Sequence, residues 1–279
     1  MNIEMLQPAI DFYNEGNSMA KTCKEFHSTP SVLKKLFKIN GVKIRTQKEQ
    51  LILENIRRTK KINHYFFSEL DETKAYYLGF FAADATVRKN RNEIKIGLSS
   101  VDKDFLFELK NQMEAEREIK TYTTNNGFEC CELSFSSAQI KQDLARYHIV
   151  PNKTYLGLKL DVIPECLKLA FIKGFFDGDG SFSYNKNTKQ CKVTFTSYTR
   201  NILEDIKNYF KDGNIYQDKR SKVYSLEFST HPSMVIMSNF YRIDTPFLRR
   251  KYRKYMEYLE LRNNSPRDKA PLTEDEKLC

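Results

Sequence analysis

The sequence contains no tryptophan, only four histidines and no long apolar run in its 279 residues. A transmembrane helix needs about 18 or more consecutive apolar residues, so the sequence predicts no membrane span. The first residues also lack the basic and apolar regions of a signal peptide, and we therefore expect an intracellular protein that is not secreted. Because His27, His64, His148 and His231 lie far apart, a histidine-rich metal site or a histidine-based nuclease motif is disfavoured.

The cysteine spacing disfavours a zinc site, because no two of the six cysteines form a Cys-x-x-Cys pair. In a reducing compartment we expect these thiols to stay free and to act as small apolar residues. The six are Cys23, Cys130, Cys131, Cys166, Cys191 and Cys279.

The composition is that of a folded, basic protein. Hydrophobic residues make up 40% of the chain and aromatic residues 13%, which excludes wholesale disorder. The formal net charge of +10 favours a polyanionic partner, most simply nucleic acid. Residues 1–64 hold twelve Lys and Arg against six Asp and Glu, so this segment supplies a large part of the excess.

An internal repeat organises the rest of the chain. Residues 75–85 (AYYLGFFAADA) match residues 170–180 (AFIKGFFDGDG) at an offset of 95. Further matches follow in the same order, at offsets between 93 and 98: residues 98–100 with 195–197, residues 133–136 with 226–229, and Lys153 with Lys251. The sequence therefore predicts a tandem duplication of one small domain.

Both halves show the same order of predicted elements. An apolar helix that ends in aspartate is followed by two strands, a helix, two more strands and a last helix. Alternation of apolar and polar residues is clean in the longer strands, where Ile94, Ile96 and Leu98 share one face. The predicted fold class is α+β, with the order αββαββα twice and two antiparallel sheets.

The two aspartates at the helix ends are the candidate catalytic groups. Asp84 and Asp179 lie where the helix dipole is negative, so a carboxylate there needs a compensating cation. Small residues, including Gly79 and Gly174, would let the two helices approach closely and bring the acids together. Paired carboxylates sharing Mg²⁺ (or Mn²⁺) suit phosphodiester hydrolysis, because hard cations prefer oxygen ligands. The expected metal site also includes the neighbouring Ala83 and Gly178.

The second motif also allows two other interpretations. Asp177-Gly178-Asp179-Gly180 is a strong turn signal by itself. A calcium loop of the EF-hand type is excluded, because Phe182 stands where that loop requires glycine. The presence of an aspartate at the same place in both copies favours a site over a turn.

Residues 1–45 form a separate module with three short helical segments. Ser18 is the predicted cap of the second helix, and Asn40-Gly41 ends the third. Two short helices joined by a tight turn are typical of a helix-turn-helix, and the alternative is a generic three-helix bundle. The predicted outward face of the third helix, which favours DNA binding, consists of Ser31, Lys34, Lys35 and Lys38.

The polar faces of the two sheets are the second candidate DNA surface, although each alone also fits an ordinary solvated face. The candidate DNA-binding residues there are Arg88, Asn90, Lys95, Lys120 and Tyr122 in the first half, and Ser183, Asn185, Lys192, Thr194 and Tyr216 in the second.

Residues 77–85 and 172–180 together resemble the paired motifs of a LAGLIDADG homing endonuclease in its single-chain, two-repeat form. The resemblance covers about residues 65–261. It implies that the two motif helices form the interface between the halves, that Asp84 and Asp179 bind metal, and that two saddle-shaped antiparallel sheets contact a long double-stranded DNA target. The N-terminal module resembles the helix-turn-helix domains of some family members.

The resemblance also implies roles for other residues. By position, Lys153 and Lys251 would assist catalysis, and Ser100 and Ser197 would position the active-site water. The sequence departs from the family pattern at Ala85, where the motif has glycine. A left-handed residue is common after a helix and alanine disfavours it, so we hypothesise lowered activity or preferential cutting of one strand.

The predicted organisation is a helix-turn-helix domain at residues 1–45, a basic linker at 46–64, repeats at 65–162 and 163–261, and a disordered polar tail at 262–279. The first functional hypothesis is a site-specific DNA endonuclease, active as a monomer because both acids lie on one chain. Two alternatives stay open: an RNA maturase that binds intron RNA, and a DNA-binding regulator that has lost cleavage. The helix-turn-helix pattern favours DNA over RNA.

Overall fold

The computed structural model describes residues 6–47, 49–50 and 61–263, in two compact units that divide after Lys61. The predicted tail from residue 264 onward and most of the basic linker lie outside the described residues. Within the described part, no helix is both long enough and apolar enough to cross a membrane. The cysteines described there, which are all except Cys279, are free thiols.

The described part of the first unit includes the short helices α1 (Leu6–Asn14), α2 (Met19–Glu25) and α3 (Pro30–Ile39). Ser18 caps α2 as predicted, because its side chain accepts a hydrogen bond from the backbone N–H of Lys21 at 3.3 Å. The buried core of this unit is Ala9, Ile10, Tyr13, Cys23, Leu33 and Phe37.

Arg45 connects the chain after α3 to the end of α1. Its guanidinium donates to the carbonyl oxygens of Tyr13 at 2.8 Å and Asn17 at 2.7 Å, and it stacks 3.7 Å from the centre of the Tyr13 ring. The charge of Arg45 thus satisfies backbone carbonyls near the negative end of a helix.

The second unit contains both repeats, and each has the predicted order αββαββα. The first repeat contains α4 (Glu72–Asp84), β1 (Ala85–Val87), β2 (Glu93–Ser99), α5 (Lys103–Gln112), β3 (Lys120–Thr123), β4 (Glu129–Ser136) and α6 (Ala138–Arg146). A short helix, α7 (Lys153–Leu156), follows it. The second repeat contains α8 (Lys168–Asp179), β5 (Gly180–Tyr184), β6 (Cys191–Ser197), α9 (Arg200–Phe210), β7 (Asn214–Gln217), β8 (Tyr224–Phe228) and α10 (Thr230–Arg242), and α11 (Arg249–Asn263) ends the described chain.

Both sheets are antiparallel and have the same strand order, β1-β2-β4-β3 and β5-β6-β8-β7. The alternation predicted from sequence is confirmed, since Ile94 and Ile96 are fully buried while Gly97 and Ser99 on the other face are exposed. Apolar side chains from the helices cover the inner face of each sheet and form one core.

The strand register corrects one of the sequence matches. Ala85 pairs with Ile96 and Gly180 pairs with Phe195, so Ile96 corresponds to Phe195 at an offset of 99. The offset of 97 predicted from residues 98–100 and 195–197 is therefore wrong. The reason is that the β5–β6 hairpin has four more residues between Gly180 and Phe195 than the β1–β2 hairpin has between Ala85 and Ile96.

The motif helices α4 and α8 cross with their backbones in contact. A Cβ atom added to Gly79 would overlap the carbonyl oxygen of Phe171, and one added to Gly174 would overlap the carbonyl oxygen of Tyr76. Residues 75–82 of α4 and residues 170–177 of α8 are buried on all sides. Only glycine permits this approach, so these two residues fix how the repeats meet.

This contact yields the first prediction. Gly79→Ala and Gly174→Ala should each lower the free energy of unfolding by at least about 2 kcal/mol, because the new methyl group overlaps backbone that cannot move aside. Denaturant unfolding measures this change. Gly97→Ala is the matched control, since its methyl group would meet nothing closer than 3.9 Å and should change stability by less than about 0.5 kcal/mol. Equal effects at all three positions would contradict the proposed contact.

Candidate active site

The helix crossing places the two motif aspartates side by side at one end of the interface. A Cβ added to Gly178 would lie 3.1 Å from Oδ2 of Asp84, and it would overlap the side chain of Ala83. The absence of a side chain at Gly178 therefore leaves room for the Asp84 carboxylate next to α8. The Asp179 carboxylate lies near enough for its charge to raise the pKa of Asp84.

Both motif helices end in the same way, so alanine at position 85 does not change how the first helix ends. The backbone N–H of Ala85 donates to the carbonyl of Phe81, and that of Gly180 donates to the carbonyl of Phe176. Ala85 has φ −74° and Gly180 has φ −99°. The expectation of a left-handed residue after the helix is wrong, because the chain passes directly into an extended strand that alanine adopts without strain.

The two carboxylates lie in an electrostatically unfavourable position. Burial raises the pKa of Asp84 to about 6, with repulsion from Asp179 adding to the effect of burial. Desolvation by the surrounding protein also raises the pKa of Asp179, although its side chain is reached by solvent. Within the described part of the chain, no group donates a hydrogen bond to either carboxylate. The negative charge is therefore left without a protein donor.

Two buried lysines flank the carboxylates, one from each repeat. Nζ of Lys153 donates to the carbonyl oxygen of Ala83 at 2.7 Å. Nζ of Lys251 donates to the carbonyl oxygens of Phe176 and, at 2.6 Å, Gly180. The predicted pair of lysines thus lies at the C-terminal ends of the two motif helices, and the Phe176 carbonyl accepts from Lys251 as well as from the backbone N–H of Gly180.

Burial also shifts the pKa of each lysine. It lowers the pKa of Lys153, and it lowers that of Lys251 to about 8. Nearby aspartates oppose both shifts, because their negative charge favours the ammonium form. The ammonium groups in turn lower the pKa of both motif aspartates, so acids and lysines form one coupled set.

A cavity of about 250 Å³ opens beside Asp179, and Lys153 and Ser197 contribute to its lining. In the same lining, the hydroxyl of Thr196 donates to the backbone carbonyl of Asp179 at 2.8 Å. The Ser197 hydroxyl accepts a hydrogen bond from the backbone N–H of Thr199 at 3.1 Å.

Ser100, the predicted counterpart of Ser197, has a different environment. Its hydroxyl donates to Glu129 at 3.4 Å, and by strand register the counterpart of Ser197 is Leu98. The four additional residues in the second hairpin account for this shift. The water-positioning roles of both serines stay predictions.

The residues present fit a divalent cation of the hard, oxygen-binding kind. Asp84 and Asp179 supply anionic oxygens, and the cation would relieve their mutual repulsion. Of the other two residues predicted for the metal site, Ala83 has a carbonyl that accepts a hydrogen bond from Lys153. Gly178 has no side chain, which leaves room for the Asp84 carboxylate. Across the described residues, no group of three or more His, Cys, Asp or Glu side chains surrounds a common point. The remaining ligands would have to come from water or substrate.

The candidate DNA-binding side chains of the sheets are solvent-accessible, but several have acidic partners. Nζ of Lys95 lies 3.1 Å from Glu132, and Nζ of Lys192 lies 2.7 Å from Glu227. The guanidinium of Arg88 lies 3.7 Å from Glu93. The polar faces are therefore mixed in charge, which sequence alternation alone had not indicated.

The remaining candidates lie in strands or in the turns between them. Lys120 and Tyr122 lie in β3, Ser183 in β5, Thr194 in β6 and Tyr216 in β7. Arg88, Asn90 and Asn185 lie beyond strand ends. The side chain of Asn185 accepts from the backbone N–H groups of residues 187 and 188, so it stabilises its own turn. In the first unit, Ser31, Lys34, Lys35 and Lys38 are exposed on α3, as predicted.

Two buried charged residues of α8, Asp177 and Lys173, were not predicted from sequence to belong to the site. The Asp177 carboxylate accepts from the hydroxyl of Tyr76 at 2.6 Å and from the backbone N–H of Leu248 at 3.1 Å. Lys173 is 1% exposed and donates to the Thr245 hydroxyl at 2.8 Å. The signal for both was present in the repeat, where Asp177 and Lys173 replace Ala82 and Leu78 on helices that are otherwise apolar.

Duplicated halves, a glycine crossing and paired acids at two helix ends define a two-repeat protein with its site between the repeats. A model of the LAGLIDADG endonuclease family matches residues 172–261, and a model of the LAGLIDADG-like domain matches residues 71–142. Together the two matches span more than half of the chain, and the protein belongs to the LAGLIDADG family.

Individual relatives are distant. An uncharacterized protein of Methanocaldococcus jannaschii is 28% identical over 183 residues. The matched region covers 62% of this chain and 63% of the length of that relative. The I-LtrWI LAGLIDADG homing endonuclease bound to target DNA is 15% identical, with a TM-score of 0.46, covering 71% of this chain and 90% of that one. I-SmaMI bound to an uncleaved DNA target in the presence of calcium ions is 16% identical, also with a TM-score of 0.46, covering 69% and 90%.

The raised pKa of Asp84 yields a stability prediction. A carboxyl group whose pKa is higher in the folded than in the unfolded protein lowers the free energy of unfolding when it is ionised. This loss of stability is complete above the folded-state pKa and disappears as the pH falls below the unfolded-state pKa near 4. Asp84→Asn should therefore raise the free energy of unfolding at pH 7 by about 1–3 kcal/mol, with the difference from wild type vanishing near pH 4. Denaturant unfolding between pH 4 and 8 measures this difference.

The control for this experiment is Asp161→Asn, which alters an exposed aspartate outside the site. It should leave the pH dependence of unfolding unchanged. A difference between Asp84→Asn and wild type that stays constant from pH 4 to 8 would show that the Asp84 carboxylate is not held in an unfavourable environment.

Proposed function

We propose that the protein is a site-specific endonuclease of double-stranded DNA, a homing endonuclease that hydrolyses phosphodiester bonds with a divalent cation held by Asp84 and Asp179. The observation that supports this most strongly is the pair of partly desolvated carboxylates between two buried lysines at the repeat interface, to which no group in the described part of the chain donates a hydrogen bond. Because both acids come from one chain, the protein acts as a monomer.

The bound cation, Mg²⁺ or Mn²⁺, would activate water and stabilise the leaving oxygen. The chain's own groups do the rest. Asp84 and Asp179 would hold the cation, and the helix crossing at Gly79 and Gly174 fixes the position of the acids. A carboxylate pair held by packed helices needs little reorganisation when substrate arrives.

Lys153 and Lys251 supply positive charge on either side of the acids. In the protein alone they donate to carbonyl groups at the ends of α4 and α8. Next to a DNA backbone, the same ammonium groups would attract phosphate and stabilise the charge that develops on it. One lysine in each repeat suits a reaction on each of two strands.

The polar faces of both sheets and the basic face of α3 supply the DNA-binding surfaces. The sheet faces combine lysines with glutamates, and these side chains can accept from or donate to base edges as well as contact phosphate. On α3 the exposed side chains are three lysines and a serine, which suits phosphate contact. We propose that α3 belongs to a helix-turn-helix module that adds affinity for DNA.

The cleavage prediction uses a randomised plasmid library with Mg²⁺. Wild type should cut at discrete sites, and Asp179→Asn should reduce the cleavage rate by at least about 100-fold, because the cation loses an anionic ligand. EDTA should abolish cutting by wild type. Sequencing of the cut ends measures the target and the rate together.

Asp161→Asn is again the matched control and should cleave like wild type. If folded wild-type protein binds duplex DNA but makes no cuts, the protein is a DNA-binding regulator and the proposal is wrong. Tight binding to a structured intron RNA, without cleavage of DNA, would identify a maturase instead.

The contribution of α3 is tested separately. Replacing Lys34, Lys35 and Lys38 with alanine should weaken binding to the identified duplex, and the salt dependence of log K should become shallower by about 0.9 for each lysine that contacts a phosphate. Fluorescence anisotropy at several salt concentrations measures both quantities. Replacing the same lysines with arginine retains the charge and should restore most of the salt slope. An unchanged slope in the alanine variant would exclude α3 from the DNA interface.

A further inference from the structure

Asp177 is a fully buried carboxylate on α8, and its environment is unusual for an acid. Its side chain is 1% exposed and lies between the two repeats. It accepts a hydrogen bond from Tyr76 on α4, in the other repeat, and one from the backbone N–H of Leu248. A buried carboxylate is stable only with such donors, so this geometry ties three separate segments together.

The Leu248 contact connects Asp177 to Lys251. Leu248 is the residue that precedes α11, and its carbonyl accepts from the backbone N–H of Lys251 at 3.0 Å. Asp177 therefore holds the first turn of the helix that carries the lysine. The lysine side chain then reaches back to the carbonyls of Phe176 and Gly180, on either side of Asp177 and Asp179.

A second contact holds the same turn from the first repeat. The guanidinium of Arg250 donates to Asp102 at 2.7 Å, and the Asp102 side chain is 5% exposed. The segment from Leu248 to Lys251 is thus fixed by a buried acid on each side. Asp177 contacts Leu248, which precedes α11, and Asp102 of the first repeat contacts Arg250 in the first turn of α11.

The first repeat has a similar turn but no equivalent acid. The backbone N–H of Lys153 donates to the carbonyl of Val150 at 3.0 Å, which matches the contact between Lys251 and Leu248. The residue that corresponds to Asp177 is Ala82, and a methyl group accepts no hydrogen bond. Lys153 starts a helix of only four residues, which is preceded by Asn152 in the left-handed conformation.

We propose that Asp177, anchored across the repeat interface by Tyr76, is a positioning residue for Lys251, and that its absence from the first repeat makes the two cleavage centres inequivalent. The proposal rests on the endonuclease function proposed above. It assigns to Asp177 a role that acts through the lysine and not on the substrate. Loss of Asp177 should therefore impair one strand cut far more than the other.

The first readout does not depend on cleavage. Amide hydrogen exchange at Leu248 reports directly on the backbone N–H group that donates to Asp177. Protection at Leu248 should fall at least tenfold in Asp177→Ala, and less in Tyr76→Phe, which retains the carboxylate but removes one of its donors. Asp177→Asn retains an acceptor oxygen and should keep most of the protection. Unchanged protection in Asp177→Ala would overturn the proposal.

The second readout is the rate at which each strand of an end-labelled target duplex is cut. Lys251→Met and Lys153→Met first identify the strand that depends on each lysine. Asp177→Ala should slow the Lys251-dependent strand by about 10- to 100-fold and the other strand by less than about threefold, because a small misplacement of a catalytic group has effects of this size. Asp177→Asn should rescue most of the rate.

A double variant separates positioning from general stability. If Asp177 acts through Lys251, then Asp177→Ala combined with Lys251→Met should cut as slowly as Lys251→Met alone. Additive losses would overturn the proposal. If Asp177→Ala does not fold, Tyr76→Phe takes its place in the same cycle, with a smaller expected loss on the same strand.

Asp143→Asn is the matched control for a buried, hydrogen-bonded aspartate. Asp143 is 1% exposed and accepts from Ser68 at 2.7 Å and from Arg146 at 2.9 Å, and its charge is not among those that shift the pKa of Lys153 or Lys251. Its variant should lower stability without changing the ratio of the strand rates. Equal losses on both strands in Asp177→Ala would make Asp177 a general stabiliser like Asp143 and would overturn the proposal.

A wild-type protein that cuts neither strand would contradict the proposed function. Amide exchange at Leu248 would still decide whether Asp177 holds the Lys251 turn.

Discussion

The contact between α4 and α8 at Gly79 and Gly174 is the constraint on which the rest of the structure depends. Each glycine faces a backbone carbonyl of the other helix, so the two axes approach more closely than side chains would allow. This approach brings the two helix ends, and hence Asp84 and Asp179, to the same place. It also sets the distance between the repeats and fixes the sheets that follow directly from each helix. One steric condition therefore determines both the interface and the site.

That condition has an electrostatic cost. Two carboxylates at the negative ends of two helices are partly desolvated, and the charge of Asp179 also raises the pKa of Asp84, so the ionised pair destabilises the protein alone. The buried lysines reduce the cost without cancelling it, because both are hydrogen-bonded to backbone carbonyls. Such a site is stabilised by any ligand that brings positive charge. The same features that make the site unfavourable in isolation make it suitable for binding a cation next to phosphate.

The two repeats share an architecture but not their polar details. The second motif helix carries Lys173 and Asp177 where the first carries Leu78 and Ala82. These substitutions create a buried network in one half, which reaches the helix of Lys251 through Leu248. Duplication followed by such changes yields centres that are related by fold symmetry and differ in how firmly each lysine is held. A single chain permits this divergence, since the halves need not remain identical.

Much of the architecture could be predicted from the sequence, because local patterns carry it: the duplicated motif, the alternation in β2 and β6, the capping serine of α2, and the acids and lysines of the site. The sequence did not show the true register of the second hairpin, the extended backbone at Ala85, the glutamates that pair with lysines on the sheet faces, or the partners of Asp177. Each of these depends on contacts between residues that are distant in the chain. By itself the sequence determined which residue types were available and the order of helices and strands within each repeat. Only the tertiary structure decided which groups meet, because close backbone packing and buried hydrogen bonds arise from the relative placement of whole elements.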